Sequence, residues 1–258
     1  MWGPLDTGDT RDVAVVAAPG ARLPRPANAF VASSRGFFVV DWSLAQEPVV
    51  VAGPLPTGDS RGVFAFGDHA YVAALTGLHV VDISSPWAPS VEASLLVSDW
   101  SDVEDSRGLF VSDDHAFVAT CGIRGARLYT ADVSSPSRPE PSTSRDIDCA
   151  RAVAVSGGVA HVATDGGLRL VDATPRGDAG VDPEVRTGAS NGVFLAGDVL
   201  YVASREGLYM VDVTLPISPE LIVGPLPTGD SQGVHVTERR AYVASTDGLY
   251  VVDLGCDP

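Results

Sequence analysis

Apolar residues in this chain fall in short runs, and Gly, Pro, Asp and Ser separate one run from the next. Near residue 70, for example, the chain reads GVFAF, GDH, AYVAA, TG, HVVDI, SSPWAP and SVEASLL. Runs of β-branched and aromatic residues with tight turns between them are typical of antiparallel strands. The pattern carries no helical periodicity and predicts an all-β protein.

One segment occurs six times along the chain. It reads AYVAALTGLHVVD at Ala70–Asp82 and AYVASTDGLYVVD at Ala241–Asp253. The aspartates that close the copies are spaced 41, 50, 40, 40 and 41 residues apart: Asp41, Asp82, Asp132, Asp172, Asp212 and Asp253. Four strands in about 40 residues make one blade of a β-propeller. The chain is therefore predicted to be a single domain, residues 1–258, forming a six-bladed β-propeller with four antiparallel strands per blade.

The ends of the chain suggest how the ring closes. The linker GPLPTGDS joins an outermost strand to the next innermost strand at Gly53–Ser60 and again at Gly224–Ser231, and GPLDTGDT stands at Gly3–Thr10. The last repeat lacks an outermost strand. We expect Met1–Leu5 to supply that strand to the sixth blade, which would remove a free sheet edge.

The consensus AYVA…GL-x-VVD-V-S-x-P resembles the LVIVD-repeat family of bacterial and archaeal propellers over essentially the whole chain. The resemblance implies a propeller fold, often at a cell surface. It does not imply one activity, because propellers include lectins, hydrolases, lyases and docking platforms.

A possible catalytic motif, G-x-S-x-G, occurs at Gly58–Gly62, Gly188–Gly192 and Gly229–Gly233. A nucleophile elbow needs a strand, a strained turn and a helix. Here the serine lies between two predicted strands and recurs in register. We therefore interpret Ser60 as a structural residue and assign no catalytic residue. The aspartate that closes each repeat is interpreted in the same way, as the cap of a turn.

The negative charge of the chain disfavours anionic partners. The net charge is −16, all 17 basic residues are arginine, and 25 of the 33 acidic residues are aspartate. Such a chain should repel nucleic acid and anionic membrane surfaces. It contains no apolar run of membrane-spanning length, and its first residues do not resemble a signal peptide. We expect neither nucleic-acid binding nor membrane insertion.

Polar residues recur where each innermost strand begins: Arg11, Arg61, Arg107, Arg151, Asn191 and Gln232. Two residues earlier stand Asp9, Asp59, Asp105, Cys149, Ala189 and Asp230. A propeller would place them around the mouth of its channel. They either seal one blade to the next or bind an anionic or polyhydroxylated ligand.

Two insertions flank the inner strands of the third repeat, at Val97–Ser106 and Thr120–Leu128. In the first, Trp100 could stack on a sugar ring, and its neighbours Asp99, Asp102, Glu104 and Asp105 could hold Ca²⁺. The D-x-D-x-D-G spacing of calcium loops is absent, which favours a solvated acidic loop. The five histidines show no zinc-ligand spacing, so no other cofactor or metal is predicted.

Cys121 and Cys149 are predicted to lie on one face in adjacent blades. We expect them to form a disulfide, with Cys256 free, and such a bond favours an oxidising compartment. The sequence thus suggests a non-enzymatic binding or interaction module of an exported or cell-surface protein, with a small polar or carbohydrate ligand or a protein partner. Two alternatives stay open: an enzyme acting on a small polar or sugar-like substrate in the channel mouth, and a purely structural domain of a larger protein.

Overall fold

The structure is a computed structural model that describes residues 5–16, 28–42, 47–96, 108–112, 114–122, 125–174, 184–237 and 239–255. Strands and turns account for all the regular structure of these residues. None of them belongs to a helix that could cross a membrane.

The strands form six sheets, or blades, that follow one another along the chain. Blade one contains β1 (Thr10–Val16), β2 (Asn28–Ser33), β3 (Gly36–Asp41) and β4 (Val49–Leu55), and blade two contains β5 (Ser60–Phe66), β6 (His69–Ala74), β7 (Gly77–Asp82) and β8 (Ser90–Leu96). Blade three contains β9 (Gly108–Ser112), β10 (His115–Ala119), β11 (Ala126–Asp132) and β12 (Glu140–Ile147), and blade four contains β13 (Ala150–Ser156), β14 (Val159–Thr164), β15 (Gly167–Asp172) and β16 (Glu184–Val185). Blade five contains β17 (Ser190–Ala196), β18 (Val199–Ser204), β19 (Gly207–Asp212) and β20 (Glu220–Leu226), and blade six contains β21 (Ser231–Thr237), β22 (Arg240–Ser245) and β23 (Gly248–Asp253).

The blades are antiparallel sheets whose strands lie in chain order, which confirms the predicted six-bladed β-propeller fold. Within the described residues blade six has three strands. The predicted shared strand, Met1–Leu5, lies outside those residues except for Leu5. That side chain packs against Val31, Phe38 and Val40 in blade one.

The chain divides into two compact units. The first comprises blades one and two with most of blade three, and the second comprises the remainder. In the first unit the leading strands β1, β5 and β9 are neighbours, and in the second β13, β17 and β21 are neighbours. We call the end of a blade at which its innermost strand begins the leading end, and the other the trailing end.

Within a unit, successive blades pack face to face, so the middle strands of a blade with a neighbour on each side are buried on both sides. In β7 the consecutive residues Leu78, His79, Val80 and Val81 are all at most 5% exposed. Leu78 and Val80 face blade three, where they meet Leu109, Val111 and others. On the opposite face, Val81 belongs to the cluster that blade two shares with blade one. This double burial explains why the strands read as continuous apolar runs.

Blade six departs from this pattern. Leu249 and Val251 in β23 are 68% and 53% exposed, whereas the corresponding residues of blade two, Leu78 and Val80, are fully buried. Both side chains of blade six therefore lie at the surface of the described residues.

Candidate binding site

Each innermost strand whose pairing is described begins with a β-bulge. In blade two the register shifts between Ser60 and Gly62, which leaves Arg61 as the extra residue. The same shift isolates one residue in each of blades one, four, five and six: Arg11, Arg151, Asn191 and Gln232. A bulged residue leaves the strand ladder, so its side chain is aimed away from the regular alternation. The polar positions singled out from the sequence are therefore the bulged residues at the leading ends, and Arg107 and Asp105 lie outside the described residues.

Arg61 and Arg151 are held by carboxylates of their own blades. Nη2 of Arg61 donates to Oδ2 of Asp59 at 3.0 Å, and the two side chains are 14% and 27% exposed. Nε and Nη2 of Arg151 donate to Oδ1 of Asp165 at 3.1 and 2.8 Å. A ligand would have to compete with these ion pairs for either guanidinium.

Asn191 and Gln232 share one carboxylate. Nε2 of Gln232 donates to Oδ1 of Asp230 at 2.8 Å. Nδ2 of Asn191, one blade earlier, donates to the backbone oxygen of Ser231 at 2.9 Å and also lies 3.4 Å from Asp230 Oδ1. Asn191 thus links blade five to blade six, which is the sealing role considered for these positions.

Arg11 differs from the other bulged residues. Its side chain is exposed. Unlike Arg61 and Arg151, it is joined to no carboxylate among the described residues. Asp9, two residues earlier, is also exposed, and its backbone N–H donates to Oγ of Ser34 at 3.2 Å. Within the described residues, the guanidinium of Arg11 is thus exposed and forms no ion pair.

The G-x-S-x-G motif builds the bulge. Ser60 is fully buried, and its Oγ lies 2.8 Å from Oγ1 of the equally buried Thr57 and donates to the backbone oxygen of Gly58 at 3.2 Å. Gly58 has φ +71°, a conformation that L side chains rarely adopt. The last glycine allows blades to approach, since a Cβ on Gly192 would lie 3.2 Å from the backbone of Gln232. A hydroxyl enclosed in this way cannot attack a substrate.

Asp12 is a bridging residue that the sequence analysis overlooked. It follows bulged Arg11, at the position where the other blades carry glycine or alanine. Its two oxygens accept the backbone N–H groups of Val13 and, in the next blade, Val63, both at 2.9 Å. Burial raises the pKa of this carboxyl, and the two hydrogen bonds oppose that rise. The lone carboxylate in a column of small residues was the signal that could have revealed it.

A second overlooked feature is a side-chain pair across the β-turn that joins the second strand to the third. In blade five, the hydroxyl of Tyr209 donates to Oε2 of Glu206 at 2.6 Å, and burial together with that carboxylate raises the pKa of Tyr209 to about 12. In blade six, the hydroxyl of Tyr250 donates to Oδ2 of Asp247 at 2.9 Å. In blade two, His79 lies 3.0 Å from Oγ1 of Thr76. These pairs lie in turns at the leading ends of their blades, as the bulged residues do.

The aspartates that close the repeats cap turns, as predicted. Oδ1 of Asp82, Asp172 and Asp212 each accepts the backbone N–H of the residue two positions later, at 2.8 Å. Hydrogen bonds from Ser84 and Thr214 lower the pKa of Asp82 and Asp212, respectively. They are structural anions at the trailing ends of their blades.

The sulfurs of Cys121 and Cys149 are bonded, and their Cα atoms are 4.5 Å apart. Cys121 follows the end of β10 by two residues, and Cys149 immediately precedes β13. The base of the Thr120–Leu128 insertion is closed beside the bond, where Thr120 Oγ1 donates to the backbone oxygen of Arg127 at 3.0 Å. Cys256 lies outside the described residues.

The predicted sugar-stacking and calcium-binding loop, with Trp100, Asp99, Asp102, Glu104 and Asp105, lies outside the described residues. Within the described part of the chain, no three His, Cys, Asp or Glu side chains are grouped as metal ligands would be.

The sequence of the chain matches the model of a known protein family. The model of the LVIVD repeat matches residues 57–96, 149–173, 187–223 and 228–258, just over half of the chain. The chain belongs to the LVIVD-repeat family. The four matched stretches coincide with blades two, four, five and six, so this LVIVD-repeat chain carries its family signature on the sheets described above.

Solved structures similar to this LVIVD-repeat chain share its fold at low sequence identity. Kluyveromyces lactis Hsv2 aligns with a TM-score of 0.61 and 13% identity over 97% of this chain and 76% of its own. The computationally designed Ika8 protein aligns with a TM-score of 0.60 and 12% identity over 95% of this chain and 70% of its own. No curated protein sequence matches the chain. At such identities the likeness concerns the fold alone.

Proposed function

We propose that the chain is a non-enzymatic binding or interaction module of an exported or cell-surface protein, with its ligand site at the leading ends of blades one and two. The observation that carries the proposal is the unequal state of the bulged residues. Arg61 is already paired with a carboxylate, whereas Arg11 on the neighbouring leading strand is exposed and unpaired within the described residues.

Arginine suits a ligand that carries a carboxylate or adjacent hydroxyls, because its planar guanidinium offers several donors in a fixed geometry. The ligand class is therefore a small polar or carbohydrate molecule, or a protein side chain of the same chemistry. The disulfide between Cys121 and Cys149 supports an oxidising location.

The test combines a thermal-shift screen with binding titrations. The native chain is screened against sugars, sugar acids and dicarboxylates, and each hit is titrated against variants. Arg11→Ala should weaken binding about 10- to 100-fold, the worth of a charge-assisted hydrogen bond, without changing Tm. Arg61→Ala should lower Tm, because it leaves Asp59 without its cation.

Arg138→Ala is the matched control. This arginine is 83% exposed and lies in the turn between β11 and β12, at a trailing end, so its loss should change neither binding nor Tm. A screen without hits, or a hit whose affinity is unchanged by Arg11→Ala, would overturn the proposed site. Turnover of any screened compound would favour the enzymatic alternative.

A further inference from the structure

Blade two carries two aromatic side chains in contact with solvent at its trailing end. Phe66, the last residue of β5, and Trp87, in the connection between β7 and β8, are each 55% exposed. Aromatic side chains of this size are ordinarily buried in a soluble protein, and clusters of them at the surface mark interaction sites.

The two rings are mounted on connected backbone. Phe66 stands opposite His69, which stands opposite Asp82, so the three residues form one row across the sheet. The backbone N–H of Ile83 donates to the backbone oxygen of Asp68 at 2.9 Å, which ties the turn after Phe66 to the segment leading to Trp87. The position of Phe66 is thus set by the sheet, and the segment that leads to Trp87 is tied to the turn after Phe66.

Carboxylates occupy the same strands and turns of blade two as these aromatic residues. Asp68 is exposed, and hydrogen bonds from Ser84 lower the pKa of Asp82, which keeps it charged. Glu92 lies 2.9 Å from Nε2 of His69. We call Phe66, Asp68, Asp82, Trp87 and Glu92 the blade-two patch.

Blade three contributes two features near the blade-two patch: the negative charge of Asp114 and the ion pair between Arg138 and Glu140. Burial raises the pKa of the nearby Tyr71 phenol, and the charges of Glu92 and of Asp114 from blade three add to the rise. Nε of Arg138 in blade three forms an ion pair with Oε1 of Glu140 at 3.2 Å. The surroundings of the patch are thus negative.

The combination is particular to blade two. At the position of Phe66 the later blades carry Ser112, Ser156, Ala196 and Thr237, and at the position of Trp87 blades three and five carry Ser137 and Ile217. Because the repeat pattern does not require two exposed aromatic residues here, packing within the blade does not account for them.

We infer that the blade-two patch is a docking surface for a cationic polypeptide segment bearing arginine side chains. A guanidinium can stack on an aromatic ring and pair with a carboxylate at the same time. Both rings are half open to solvent, so the patch cannot enclose a small cation. An extended segment with several arginines can contact both rings and several carboxylates at once.

The test uses a fluorescein-labelled peptide of alternating arginine and serine, followed by fluorescence anisotropy with the full chain. A peptide with citrulline in place of arginine keeps the shape without the charge and should not bind. The double variant Phe66→Ser, Trp87→Ser should bind the arginine peptide about tenfold more weakly, the combined effect of two exposed cation–π contacts. Because both side chains are more than half exposed, Tm should stay unchanged.

Trp42→Ser is the matched control, since Trp42 is 51% exposed in the corresponding connection of blade one. It should bind the peptide as the native chain does. Equal binding by the double variant and the native chain would overturn the inference and leave only general attraction to a chain of net charge −16. Equal binding of the citrulline peptide would overturn it as well. If the double variant failed to fold, Trp87→Ser alone would be measured, with about threefold weaker binding expected.

Discussion

His161, in the middle of β14, is a fully buried imidazole whose two ring nitrogens have no hydrogen-bond partner among the described residues. Its cross-strand neighbours are Ala154 and Leu170, both apolar. The corresponding position in the other blades holds an aromatic ring: Phe30, Tyr71, Phe117, Tyr201 and Tyr242. Blade four therefore has a titratable histidine at a position where every other blade has phenylalanine or tyrosine.

Burial lowers the pKa of His161 from 6.5 to about 4, because nothing nearby compensates a charge there. In the unfolded chain His161 takes up a proton near pH 6.5, whereas in the folded chain its imidazole stays neutral down to about pH 4. The free energy of unfolding should therefore fall as the pH is lowered through this interval. The pKa difference corresponds to about 3 kcal/mol in all, of which about 2 kcal/mol is lost between pH 7.5 and pH 5.

Replacing His161 by phenylalanine should remove this loss. Urea unfolding followed by circular dichroism, at pH 7.5 and at pH 5, gives the free energy of unfolding of each variant at each pH. The native chain should lose about 2 kcal/mol more than His161→Phe between the two conditions. His79, whose pKa burial also lowers, remains in both chains, so its contribution cancels in the comparison.

Acidic side chains should not obscure the result. The capping aspartates Asp82 and Asp212 have pKa values below the ordinary 3.8, so the stability they contribute is present above that value and is lost only at lower pH. His235→Gln serves as the control, since His235 is exposed, and it should retain the full loss. If His161→Phe lost as much stability as the native chain, the imidazole could not be buried and neutral in solution. Should phenylalanine prevent folding, His161→Leu would serve instead.

Three further predictions concern packing, the disulfide and the repeated serine. Leu208→Ala should cost about 3 kcal/mol because Leu208 is fully buried, and Leu249→Ala under 1 kcal/mol because Leu249 is 68% exposed; equal costs in urea unfolding would show that Leu249 is covered in solution. Mass spectrometry after alkylation should find Cys121 and Cys149 protected until reduction, and Cys149→Ser should cost about 2–4 kcal/mol; alkylation of both thiols without reduction would disprove the bond. Ser60→Ala should cost about 1–3 kcal/mol by leaving a buried hydroxyl unpaired, and fluorophosphonate should not label the native chain; labelling would disprove the structural role.

The sequence by itself determined the class of fold and the number of blades. Strand alternation, tight turns and a spacing of about 40 residues are local properties, and six copies in register made the assignment robust. The turn caps were predictable for the same reason, because Asp82 and its counterparts bond to a backbone group only two residues away. The pairing of Cys121 with Cys149 followed from the repeat alignment, which placed both residues at corresponding ends of adjacent blades.

The tertiary structure decided what the recurrent polar residues do. The sequence placed Arg11, Arg61 and Arg151 in one column, yet two of them form ion pairs and the third is exposed. The carboxylates that pair with these arginines lie in different loops. Asp59 directly precedes β5, whereas Asp165 lies in the turn between β14 and β15. Alignment of the repeats does not show which of these loops supplies the partner.

Register and contacts between blades are the physical reason for the difference. A one-residue bulge reverses the direction of a side chain, and it is visible only when two strands are paired. Asp12 and Asn191 likewise form hydrogen bonds with backbone groups of the next blade, which lie about 40 to 50 residues later in the chain. Local pattern sets each blade, whereas tertiary contacts set which of the recurrent polar groups form bonds within the protein.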